Sequence, residues 1–302
     1  MNAPAVRPRS APLGGGWRPR TWLGIALVLA GAGLVVLHWV EVMHQQPLVR
    51  QAFFAGLIAA GATAAGTLPA LFSRRLAGRL LDGVLGFGAG VMLAASIFSL
   101  IVPALDVLES QGAGNWHAAG TVALAVLLGG AVMLVLERCV PHEHFIKGSD
   151  GVGSERLKRG WLFVLAIALH NIPEGLAIGA AFAGGDGVAA SALATGIAIQ
   201  DIPEGFVVAM ALLALGYRRR FALAVGMLSG LVEPVMAMLG ASVLVGSPLL
   251  LPWGLALSAG AMLFVISHEL IPESHRQGHE LWATNGLMLG FVLMMLLDTA
   301  LG

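Results

Sequence analysis

Apolar runs, each about as long as a bilayer is thick, follow one another along this chain with only short polar gaps between them. A helix needs about 20 apolar residues to cross the hydrocarbon core. Runs of that length fall at about 21–40, 49–72, 81–105, 117–137, 160–183, 188–215, 221–245, 251–271 and 281–300. The gaps hold the charges, the Gly-rich turns and many of the prolines, which are the residues that stop helices. The pattern predicts an all-α, polytopic membrane helix bundle of nine spans.

Cations orient the spans, because Lys and Arg stay on the cytoplasmic side. Arg7, Arg9, Arg18 and Arg20 precede the first run, and Arg74, Arg75 and Arg79 follow the second. Arg138, Lys147, Arg156, Lys158 and Arg159 follow the fourth, Arg218, Arg219 and Arg220 the sixth, and Arg276 the eighth. If every run crosses, these gaps share one face and only Arg50 lies opposite, so 16 of the 17 cations agree. The reading is then a basic cytoplasmic tail (1–20), an N-terminal span (21–40), and a core of eight further spans (41–302) with a cytoplasmic loop at about 139–159. The first run contains small residues, Ala30-Gly31-Ala32, of the kind a cleaved leader carries. It stays apolar to Val40, however, and is read as a retained span.

Composition agrees. Hydrophobic residues make up 57% of the 302 and charged ones 11%, against roughly 25% charged in soluble domains. Mean hydropathy is +0.84. The formal net charge is zero and no domain is basic, which gives a nucleic-acid partner no support. Cys139 is the only cysteine, so an internal disulfide and a cysteine-rich metal site are excluded. The lipid bilayer is the expected partner. Abundant Ala and Gly, with Arg far above Lys, suggest a GC-rich bacterial source and an inner membrane.

Against this background the acids inside the spans stand out. HNIPEG begins at His170 and QDIPEG at Gln200, on consecutive spans of opposite direction. In a helix, residues four apart share a face, so His170 aligns with Glu174 and Gln200 with Glu204. Asn171 and Asp201 sit three residues before the same glutamates. Pro173 and Pro203 remove a backbone donor and free the carbonyls of Leu169 and Ile199. Gly175 and Gly179 form a small-residue face suited to close helix contact. A further acid, Glu233, precedes Pro234 in GLVEPVMAMLG.

A charge at a helix centre costs roughly 2.5–3.5 kcal/mol on insertion scales. Four unpaired acids therefore carry a penalty on the order of 10 kcal/mol. These spans contain no internal Lys or Arg, so compensation has to come from something mobile, protons or cations. Imidazole, carboxylates and amides together suit a borderline divalent ion such as zinc. Two adjacent clusters sharing Glu174 and Glu204 suggest a pair of metal positions. Related motifs on antiparallel helices are what inverted repeats produce around a midplane site.

HNIPEG followed by QDIPEG resembles the ZIP family of divalent metal transporters over about residues 49–302, and SIFSLIVPALD resembles its bacterial branch. The resemblance implies an eight-helix core, a homodimer, and a binuclear site. One metal would take His170, Glu174, Gln200, Glu204 and Glu233; the other would take Asn171, Glu174, Asp201, Glu204 and Glu233. It implies inward movement of zinc, often cadmium, sometimes iron or manganese, by an elevator-like sliding of one helix bundle against another. No organic cofactor is expected. Three features depart from the family: Ser96 and Ser99 stand where many relatives carry His, Gln200 where others have His, and His142 and His144 are all that the cytoplasmic loop offers.

Smaller signals are open to two readings. His142 and His144 in PHEHFIK either capture metal transiently or form a solvated turn. His268 and Glu269, at the inner end of the eighth span, suit a metal-release path. Met92 offers a thioether or simply packs. Asp106 and Asp298 near the outer face gather cations or are merely solvated. His38, His44, His117 and His279 sit at span ends or in loops, where hydration accounts for them. Competing with transport of a divalent metal are proton or alkali-cation transport and an intramembrane metal-dependent hydrolase. The hydrolase lacks the H-E-x-x-H pattern that would supply ligands and base.

Overall fold

The computed structural model describes residues 19–72, 78–139 and 153–301; within it the side chains near 153–164 are not described. His142 and His144 thus lie outside the described residues. The described chain is helical, with no strand among the described residues. It divides into Met1–Gln45 and Gln46–Gly302.

The first unit holds α1 (Pro19–Gln45). Leu23, Leu27, Val28, Leu34, Val35 and Leu37 on it are all exposed. A helix that is apolar on every side is suited to lipid.

The second unit begins with α2 (Pro47–Gly66) and a 3-10 turn, Leu68–Leu71. Then come α3 (Gly78–Ala94), a π-helical turn Ala95–Ile101, and α4 (Val102–Ser110). α5 (Asn115–Cys139), α6 (Gly153–Ala183) and α7 (Gly187–Ala214) follow. The next pair is α8 (Arg219–Ser229) and α9 (Val232–Leu244). α10 (Leu251–Val265) runs through a second π-helical turn, Ile266–Leu270, into α11 (Ile271–Ser274), and α12 (Glu280–Leu301) ends the described chain. Among the described residues, eight helical stretches are long and apolar enough to cross a membrane. They correspond to eight of the nine expected spans. The remaining one, 160–183, falls within α6, a single helix of 31 residues.

Prolines explain where the helices depart from α geometry. A proline lacks the N–H that would reach residue i−4, and its ring presses on that carbonyl. Pro103 and Pro272 each follow a π-helical turn, and their i−4 carbonyls belong to Ser99 and His268, inside those turns. Pro234 has a stronger effect. The expected single span 221–245 is interrupted at Gly230-Leu231, and a new helix starts at Val232.

The helices sort into two bundles. One packs α2, α6, α7 and α8–α9 together; the other packs α3–α4, α5, α10–α11 and α12. Both are joined by backbone contact at small residues. A methyl on Gly205 of α7 would collide with the Thr63 carbonyl of α2, and one on Gly290 of α12 with the Phe87 carbonyl of α3. Gly175 and Gly179 likewise bring α6 against the backbone of α9. In the run Gly86, Gly88, Gly90, the outer two face α12, whereas Gly88 opens toward Gln200.

Candidate metal site

The repeated phrase lands in the middle of two packed helices. α6 places His170, Asn171 and Glu174, and α7 places Gln200, Asp201 and Glu204. Glu174, Asp201 and Glu204 bring carboxylate oxygens within 4.8 Å of one another. Asn171, Glu174, Gln200, Asp201 and Glu233 are buried, and Glu204 is half-buried. Glu233 arrives from the break between α8 and α9, in the first turn of α9. A helix N-terminus favours negative charge there, so the interruption at Gly230 gives the acid a polar support that a continuous helix would lack.

Side-chain amides bind these acids together. The Gln200 amide nitrogen donates to Glu174 Oε1 and to Asp201 Oδ1, each at 2.6 Å. Gln200 therefore stands inside the cluster but faces it with its amide nitrogen, donating to two of the acids. Its oxygen is free to ligate only after the amide turns. Asn171 Nδ2 donates to the Ser229 carbonyl at 3.1 Å and to Glu233 Oε1 at 3.3 Å. Buried oxygens remain without a hydrogen-bond partner: Asn171 Oδ1, Glu174 Oε2, Asp201 Oδ2, Glu204 Oε1 and Glu233 Oε2. Orphaned buried acceptors are costly, and those of Glu174, Asp201 and Glu204, which converge, form a ready set of oxygen donors for a cation. Among the described residues, no lysine or arginine forms an ion pair with any of these four acids.

His170 is turned another way. Its Nε2 lies 2.8 Å from Glu269 Oε1, on the π-helical turn of the opposite bundle. His268 in the same turn pairs with Glu137 of α5 at 3.0 Å and stacks on Phe264. Of the two residues expected on a release path, Glu269 meets His170, whereas His268 pairs with Glu137, an addition that was not among the expected site residues. Thr63 is another, its hydroxyl 3.3 Å from Glu233 Oε1. Met92 is buried in α3.

At the ends of the bundle, His279 is held by more than hydration: its Nδ1 lies 3.0 Å from Asp82, a fully buried acid. Asp298 accepts a hydrogen bond from Ser99.

Antiparallel helices carrying a buried acid cluster with no lysine or arginine paired to it among the described residues have a donor set suited to a cation. The ZIP zinc transporter family matches residues 142–298. Over its full length the chain is 46% identical to the full length of "Zinc transporter ZIPB" from Bordetella bronchiseptica. It is 47% identical to "Zinc transporter GufA" of Myxococcus xanthus, across 82% of this chain and 98% of that one. With human "Zinc transporter ZIP11" it shares 31% identity over 84% of this chain and 98% of that one. The chain belongs to the ZIP family, a family of transporters, and the reading as an intramembrane hydrolase is set aside.

Proposed function

We propose that this protein carries divalent metal, zinc first, across a bacterial inner membrane into the cytoplasm. One observation carries the reading: Glu174, Asp201 and Glu204 converge in a buried cluster whose free oxygens have no cationic partner. Such a cluster is stable when a divalent ion joins it, and its oxygens and imidazole suit zinc. The relatives' names support zinc as the cargo. The distribution of Arg and Lys puts the Glu137–His268 end on the cytoplasmic side, and inward movement is what the family resemblance implies. His170, Glu269, His268 and Glu137 then form the way out.

The family resemblance supports a division of the cluster into two metal positions. One would use His170, Glu174, Gln200, Glu204 and Glu233; the other would use Asn171, Glu174, Asp201, Glu204 and Glu233. All of these residues belong to the bundle of α2, α6, α7 and α8–α9. A slide of that bundle against the other would carry the loaded site from one face to the other. The His170–Glu269 pair is a bond between the bundles, and it breaks in that slide.

Purified protein in liposomes moves zinc down its gradient, and Glu174→Ala abolishes the flux. Undiminished flux in that variant ends the proposal.

A further inference from the structure

Thr63 belongs to α2, which supplies none of the cluster's acids. Its side chain is fully buried, and its hydroxyl oxygen lies 3.3 Å from Glu233 Oε1 and 3.3 Å from the Ala59 carbonyl. Asn171 Nδ2 reaches the same Oε1 at 3.3 Å. Asn171 therefore donates to this oxygen of Glu233, and the single Thr63 hydroxyl proton is shared between it and the Ala59 carbonyl. The other Glu233 oxygen, Oε2, is buried with no partner. Thr63 is held closely in place. A methyl on Gly230 would approach its Oγ1 to 3.0 Å, so that glycine is what makes room for the side chain.

A carboxylate binds a metal through one oxygen or through both. Zinc takes few ligands at short distance, usually four. Larger divalent ions take more oxygens, so ligand number and rigidity set the choice between ions. With Oε1 engaged by Thr63 and Asn171, only Oε2 of Glu233 is offered to an ion.

We propose that Thr63 is a positioning residue that keeps Glu233 a one-oxygen ligand and thereby favours zinc over the larger cadmium ion. The hydroxyl does not touch the metal; it acts through Glu233. This inference rests on the metal-carrying role of Glu233 argued above.

The test uses the full-length protein in detergent and four forms: wild type, Thr63→Val, Thr63→Ala and Thr63→Ser. Each is dialysed against zinc and cadmium together, and the bound metals are quantified by mass spectrometry. Val keeps the volume and loses the hydroxyl. Ala loses both and decides the matter if Val disturbs folding. Ser keeps the hydroxyl. The bound zinc-to-cadmium ratio falls about three- to tenfold in Val and Ala, the size expected for one ordinary intramolecular hydrogen bond, and Ser retains the wild-type ratio. An unchanged ratio in Ala, or a Ser variant that shifts as Ala does, overturns the role of Thr63. Wild type that binds neither metal overturns the metal reading beneath it.

Discussion

His170 has two claims on it. Alignment with Glu174 makes it a proposed ligand, yet its Nε2 sits 2.8 Å from Glu269. An imidazole nitrogen cannot accept a metal and bond to a carboxylate at once. Metal taken up through that nitrogen must release Glu269, which then becomes the next acid on the path toward Glu137 and His268. Replacing Glu269 with Gln keeps the shape and removes the charge. Zinc binding is retained in Glu269→Gln, while the maximal uptake rate falls several-fold, measured as initial rates across a zinc series. An unaltered rate contradicts a release role. The legibility of this part of the site was uneven. Glu174, Asp201 and Glu204 could be found because acids are expensive in an apolar span. Thr63 and Glu137 could not. A threonine in an alanine-rich helix and a glutamate near a helix end are both ordinary, and only packing brings them to the acids.

At the scale of the element, length and hydropathy located the helices well, since a crossing helix has little choice about how long to be. The irregularities were harder. The prolines at 103, 234 and 272 were visible, but a π-helical turn and a full helix break are alternative answers to the same missing N–H. Which one forms depends on what the displaced carbonyl meets. Glycines show the same dependence. Gly205 faces the Thr63 carbonyl, whereas a methyl on Gly88 would sit 3.6 Å from Gln200 Oε1, an ordinary contact. Gly205→Ala therefore destabilises the protein by about 1–3 kcal/mol, the usual cost of overpacking. Gly88→Ala leaves stability within about 0.5 kcal/mol. Thermal unfolding in detergent distinguishes the two, and equal melting temperatures would refute the α2–α7 contact described here.

For the molecule as a whole, one bundle bears the acids and the other supplies Glu269, Glu137 and His268. The ligand-free protein pays for its function with unsatisfied buried oxygens. Any ion that binds only the folded state stabilises it, by about 2.7 kcal/mol at a hundredfold excess over Kd. Zinc accordingly raises the melting temperature of the wild type. Glu204→Gln, which removes one acid from the cluster, melts higher than wild type without zinc and gains little when zinc is added. A zinc-dependent rise of wild-type size in that variant contradicts the account.

The most direct measurement is anomalous scattering from zinc-soaked crystals of the intact protein, recorded across the zinc absorption edge. Density is expected between α6 and α7, with zinc about 2.0–2.2 Å from oxygens of Glu174 and Glu204. Zinc found only at other positions, with those acids turned apart, would contradict it.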